Sequence, residues 1–271
     1  MKNAKVLLAV LVLALVAVAT TPARADVSFG FFYSNLEPHG SWLVSANYGR
    51  VWQPAAYAPG WNPYYDGHWS YTNAGWMWMS DYSWGAIPYH YGTWAVDPRY
   101  GWVWVPGYTW APAWVTFRTG PDYVGWAPVA PGFSVGVSFG APLPAMRTFV
   151  FVPTRSFLAP HIRTYVVPAT RARAVYQHAN VVAGPVVRRE SVVTRGPDPW
   201  TIERATRQPI RRARIDEVSR VTGTDRTVAR AGARVTSPKQ TMTAWNRREV
   251  SPPQRHGPKQ AQPKHGKPDK H

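Results

Sequence analysis

The sequence predicts a mainly β protein. Its expected form is a set of tandem β-hairpin repeats of about 26 residues each, forming a compact small sheet, barrel or sandwich. A basic, partly disordered C-terminal tail with a short helix follows. Three observations predict this. Gly49, Gly75 and Gly101 recur every 26 residues, and so do Trp52, Trp78 and Trp104. Apolar residues around them alternate with period two, placing Trp76 and Trp78 on one side of a segment and Met77 and Met79 on the other. Aromatics and charge are also segregated. Thirteen of the 15 Trp lie between Trp42 and Trp126, whereas residues 1–25 carry a charge of +3, residues 26–150 carry −2 and residues 151–271 carry +16.

Residues 1–25 read as a secretory signal peptide. Lys2 and Lys5 precede an apolar run from Val6 to Ala19, and Ala23-Arg24-Ala25 places small residues where a signal peptidase reads, predicting cleavage between Ala25 and Asp26. The run of 14 residues is too short to span a bilayer, which takes roughly 20. The expected localisation is export, periplasmic or extracellular, with no transmembrane segment after cleavage. The chain has no Cys, which excludes a disulfide scaffold, a Cys-based zinc site and a thiol enzyme.

Residues 26–153 form the expected Trp-rich domain. Its units align as Gly40-x-Trp42 with Gly49-x-Val51-Trp52, Gly67-x-Trp69 with Gly75-x-Met77-Trp78, and Gly92-x-Trp94 with Gly101-x-Val103-Trp104. Gly and Pro are too frequent for helices, and the connecting residues are turn formers. In the second unit, a two-residue turn at Asn73-Ala74 predicts Trp69 opposite Trp78 and Tyr71 opposite Trp76. The other two units have one more residue between their Trp, which leaves their register open. The second strands are apolar on both faces, so the hairpins either pack together or leave one aromatic face for a ligand. Further strands are expected from the partial unit 107–117, from 123–128 and from 148–153.

The segment 154–221 reads as basic and rich in Arg, Val and Pro, with local strand and one short helix opening at Asp198 (N-cap) and Pro199. Residues 222–271 are expected to be a disordered basic tail.

Several ordered motifs carry a family resemblance: Trp84-Gly85-x-x-Pro88-Tyr89-His90-Tyr91-Gly92-x-Trp94, Tyr100-Gly101-Trp102-Val103-Trp104-Val105-Pro106-Gly107, Trp110-x-Pro112-Ala113-Trp114-Val115 and Tyr123-Val124-Gly125-Trp126-Ala127-Pro128. With them, the stretch from Pro38 to Gly132 resembles domain of unknown function 6600, a Trp/Gly/Pro-rich domain of secreted bacterial proteins often found beside FecR-type domains. The resemblance implies localisation and architecture, and no activity.

No catalytic constellation stands out. Glu37, Asp66, Asp81, Asp97 and Asp122 occupy turn contexts, and a hydrolase would have to recruit two of them. His39, His68 and His90 occur once per unit at differing offsets from the repeat Gly (−1, +1, −2), which argues against a shared metal site. No cofactor and no metal is expected. Most of the large aromatics are expected in the core. Those placed in inter-hairpin loops, Trp61, Tyr64, Tyr65, Trp84 and Tyr89, are the candidates for an exposed ligand-binding face. The expected function is a non-enzymatic cell-envelope binding or scaffolding protein, its basic tail associating with anionic envelope material. Expected partners are envelope polysaccharide or anionic lipid. Nucleic acid is not expected, because export removes the chain from it. A glycan-acting envelope hydrolase and a purely structural component of a larger assembly are the alternatives.

Overall fold

The computed structural model describes residues 27–55, 58–133, 143–188 and 191–215. The expected signal peptide and the expected tail 222–271 lie outside the described residues. Three antiparallel hairpins form where the repeat predicts them: β1 (Gly40–Ser45) with β2 (Gly49–Pro54), β3 (Gly67–Thr72) with β4 (Gly75–Ser80), and β5 (Tyr91–Asp97) with β6 (Gly101–Trp110). Trp69 pairs with Trp78 and Tyr71 with Trp76, as the sequence predicts. Trp42 pairs with Trp52 and Trp94 with Trp104. The additional residue in those two units is taken up by three-residue turns, closed by Gly49 (φ 68°) and Gly101 (φ 74°) in the left-handed region.

Side chains fix each turn. The last residue of every first strand accepts hydrogen bonds from turn amides. Ser45 Oγ accepts from Asn47 and Tyr48 (3.1 and 3.2 Å), Thr72 Oγ1 from Ala74 (3.1 Å), and Asp97 Oδ1 from Arg99 and Tyr100 (2.8 and 3.1 Å). Ser45 Oγ also donates to Asp97 Oδ2 at 2.6 Å, tying the first turn to the third. That bond, with the two turn amides, holds the Asp97 carboxyl below its ordinary pKa despite burial.

The first Gly of each unit has a different role. A Cβ at Gly40 would lie 2.7 Å from the ring of Trp52, and one at Gly67 would lie 2.8 Å from the ring of Trp78. In these two units the indole of the second strand therefore packs against the glycine before the first-strand Trp. In unit three the close neighbours of Gly92 are backbone atoms of β6, where the β5–β6 register shifts.

The described strands form three four-stranded sheets, none of them closed into a barrel, and the three hairpins lie in two of them. One has the order β1-β2-β6-β5, with Trp52 opposite Trp104 where its hairpins meet. The partial unit does not add a strand of its own: Gly107–Trp110 prolongs β6, and Val115 starts the next strand. β7 (Val115–Thr119), β8 (Tyr123–Pro128), β9 (Val150–Pro153) and β10 (Asn180–Ala183) form a sheet in the order β10-β7-β8-β9. β11 (Pro185–Arg188) and β12 (Ser191–Thr194) complete the third, β11-β12-β4-β3. Trp52, Trp69, Trp76, Trp78, Trp94, Trp104 and Trp126 are buried in one cluster, many as edge-to-face pairs with centroids 5–6 Å apart.

Three helices flank these sheets. α1 (Phe29–Leu36) is capped by Ser28 and buries Phe32, whose ring lies 5.2–5.6 Å from those of Tyr91, Trp104 and Tyr108. α2 (Ala169–Gln177) has no side-chain cap and no fully buried residue. Neither was legible in the sequence, because segments this short are held by tertiary contacts rather than propensity. α3 (Pro199–Thr206) begins at the predicted N-cap, where Asp198 accepts from Thr201 N–H. None of the described helices is long and apolar enough to cross a membrane.

The expected boundary at residue 153 needs correction. The segment after it supplies β10 to the edge of β7 and β12 to the edge of β4. Phe157, Ile162 and Ile202 enter the same core as Trp69. Trp76 Nε1 donates to the carbonyl of Pro197 (2.9 Å), and buried Thr194 exchanges two bonds with the backbone of Ala113 (2.7 and 3.0 Å). A basic composition masked these roles, since only scattered Val and Ile mark the buried positions. Removing everything after residue 153 is expected to abolish cooperative thermal unfolding and to expose dye-binding apolar surface. Thr194→Val, which keeps the shape and removes both bonds, should lower stability by about 1–3 kcal/mol in urea titrations.

Candidate functional site

Each hairpin has an open end opposite its turn, and one backbone bond closes all three. The N–H of Ala55 donates to the carbonyl of His39 (2.9 Å), that of Asp81 to Asp66 (3.1 Å), and that of Ala111 to His90 (2.9 Å). His39, Asp66 and His90 are therefore structural equivalents, as are Ala55, Asp81 and Ala111. The second unit alone carries two carboxylates at these positions. His68 is not the counterpart of the other two histidines, which explains its odd offset.

Around Asp66 and Asp81 a polar and aromatic corner is built. Arg163 arrives from the turn Ile162–Tyr165, which buried Ile162 anchors, and its Nη1 lies 2.8 and 3.0 Å from the oxygens of Asp66. Tyr82 O–H donates to Asp66 Oδ2 and accepts from Trp61 Nε1 (3.1 Å). His161 Nδ1 is 3.7 Å from Asp81 Oδ2. Tyr82 stacks on Trp84 at 4.5 Å and 10°, and Trp84 on Tyr89 at 5.8 Å and 18°. Tyr65, Tyr82 and Trp84 are half-buried.

The electrostatics follow from these contacts. The Asp66 carboxylate raises the Arg163 guanidinium. Burial, reinforced by the Asp66 bond, pushes the Tyr82 phenol up to about 12. Burial also raises the Tyr65 phenol, with Arg163 opposing it. Burial lowers the His68 imidazole, which Asp81 partly offsets, and its buried Nδ1 has no hydrogen-bond partner. Such a corner can stack against a flat ring and hydrogen-bond to its edge. Both oxygens of Asp66 are already occupied by Arg163, one of them also by Tyr82.

The sequence-predicted residues divide. Tyr65 and Trp84 belong to the corner and are partly accessible. Trp61, Tyr64 and Tyr89 are buried at 4, 0 and 0 % exposure, so their expected place on an exposed face is corrected. The loops that carry them run inward because their polar atoms serve the core. Tyr64 O–H donates to the carbonyl of Tyr89 and accepts from Trp114 N–H (both 3.2 Å), while its own carbonyl accepts from Trp126 Nε1 (3.1 Å). Those bonds hold Tyr64 at φ 62°, a conformation costly for a bulky residue.

The four aspartates do lie at turns and bends, and two of them meet. Asp66 and Asp81 share the corner, Asp97 is buried between two turns, and exposed Asp122 accepts from Thr154 N–H (2.8 Å) through its carbonyl. Among the described residues no three His, Asp or Glu side chains are placed to hold a metal ion. The pairing of Asp66 with Asp81 was implicit in the predicted register, which sets Gly67 opposite Ser80. Arg163 and His161, about a hundred residues on, carried no sequence signal.

Fold and corner together define a Trp-rich hairpin-repeat β-domain with a charged aromatic edge. Residues 33–133 match the model of a family of unknown function, DUF6600, and the chain carries that domain. No curated protein and no solved structure matches the chain. The matched span ends before β9, so four of the twelve strands among the described residues lie outside it.

His90 gives this region a pH dependence. Its ring is buried, stacks on Trp110 at 5.5 Å and bonds through Nδ1 to the carbonyl of Ala111, and burial lowers its pKa to about 4. A buried neutral His favours the folded state above its ordinary pKa of about 6.5, and this contribution is lost as pH falls from there towards 4. The loss should reach about 3 kcal/mol. In melting experiments between pH 7 and pH 4, His90→Asn should show a shallower decline than the parent, whatever its melting temperature at pH 7.

Proposed function

We propose that the protein is an exported, non-enzymatic binding or scaffolding module of the cell envelope, and that its corner binds envelope polysaccharide. The leader-like N-terminal sequence supports export to the periplasm or beyond. The observation that carries the binding reading is the corner itself, where the half-buried rings of Tyr65, Tyr82 and Trp84 surround the Arg163–Asp66 ion pair. Aromatic faces stack on the apolar faces of sugar rings, and fixed charged groups orient the hydroxyls. The basic segment adds attraction to anionic envelope material. In residues 143–188 and 191–215 there are twelve Arg, no Lys and two acids.

The adjacency of Asp66 and Asp81 favours one alternative, a glycan-acting hydrolase. It requires Asp81→Asn to abolish release of new reducing ends from an envelope glycan. The binding reading is tested with the mature chain (residues 26–271) on envelope polysaccharides and peptidoglycan sacculi. Retention at low salt is expected, and Tyr65→Ala should weaken it about fivefold through lost stacking. Failure to retain any glycan at low salt would overturn the reading.

A further inference from the structure

We propose that the solvent face of α3 is a docking surface for an anionic lipid bilayer. The proposal rests on the envelope reading above and names the surface that meets the membrane. Among the described Trp residues, Trp200 alone is exposed, at 65 %, whereas the rest are buried or half-buried. α3 buries Ile202 and packs on the turn Thr154–Ser156. The helical period then sets Trp200 and Arg204 on the face opposite Ile202, and Arg207, which ends the helix at φ 55°, continues that face. Arg155, Arg204 and Arg207 are all exposed.

The two acids of this segment offset them only in part, and both are engaged within the segment. Asp198 Oδ2 accepts from the N–H and O–H of Thr201 (3.0 Å each), and Glu203 Oε1 accepts from Ile210 N–H (2.6 Å). The result is one exposed indole on a helix face shared with Arg204 and continued by Arg207, while the helix's carboxylates are engaged at the cap and the backbone. An indole has a large apolar body and one N–H, and it suits the boundary between headgroups and acyl chains. Arg stems lie along apolar surface while their heads reach phosphate. Residues 191–215 carry six Arg against Asp198 and Glu203, and that net positive charge favours an anionic surface.

Cosedimentation of the mature chain with vesicles tests this. One set contains phosphatidylcholine alone and the other equal parts of phosphatidylcholine and phosphatidylglycerol. Binding to the anionic set, weakening with salt, is expected. Trp200→Ala should lower the partition about tenfold, given the area of an indole half-withdrawn from water, and Trp200→Phe should restore most of it. Arg204→Ser and Arg207→Ser should each lower it about fivefold. If the parent binds and these variants bind equally well, the proposed face is overturned while anionic association stands. If the parent ignores both sets, face and anionic association fail together. Trp200-dependent capture of a soluble polyuronate, without vesicle binding, would overturn the lipid assignment in favour of polysaccharide.

Discussion

The contact on which the sheets depend is an indole packed against a glycine of the neighbouring strand. At Gly40 and Gly67 the ring, together with the carbonyl of Gln53 or Met79, occupies the volume that any side chain would need. This brings the largest side chain within reach of the backbone without a gap, and protein interiors tolerate few gaps. It also fixes register, because a one-residue slip would turn every Trp to the opposite face. In the first two units, second-strand Trp on a first-strand Gly accounts for the spacing Gly-x-Trp … Gly-x-(Val/Met)-Trp. In a domain with no disulfide and few Leu or Ile, the aromatic mass must supply most of the burial.

That solution leaves polar atoms to satisfy. Trp52, Trp104, Trp114 and Trp126 donate their Nε1–H to carbonyls of Leu36, Tyr91, His90 and Tyr64, nearly all in the segments that lead into hairpins. The connecting loops are consequently drawn inward. Residues that read as exposed loop aromatics, Tyr64 and Tyr89 above all, became internal struts with rings 4.8 Å apart. The Arg-rich segment after residue 153 is recruited for the same reason. Trp76 needs the Pro197 carbonyl, and the edges of β4 and β7 need strands.

What the sequence made legible follows from this division. Period-two alternation and turn chemistry are local, so the three hairpins, the register of the second and the cap at Asp198 could all be read directly. Sheet assembly is not local. Nothing in the composition of 154–215 marks β12 as the neighbour of β4, because that single parallel bridge rests on Thr194 and Gly75. The short helix α1 depends on Phe32 meeting rings more than fifty residues away. At the corner, Asp66, Asp81, Tyr65 and Trp84 stand within or beside the repeat and were visible, whereas Arg163 reaches it only through the tertiary fold.

The repeat also explains where chemistry can reside. Positions shared by all three units are spent on structure: the glycines on turns and indole seats, the Trp on the core, and Ser45, Thr72 and Asp97 on turn amides. Freedom remains only where the units differ. At the open ends, His39 with Ala55 and His90 with Ala111 close two hairpins, while the second has Asp66 with Asp81. Two acids side by side repel one another, and a cation beside them relieves that repulsion. Arg163 on Asp66 supplies it from outside the repeat, and the His161 ring lies near Asp81. The charged corner is therefore a joint product of repeat divergence and the Arg-rich segment, and neither part would form it alone.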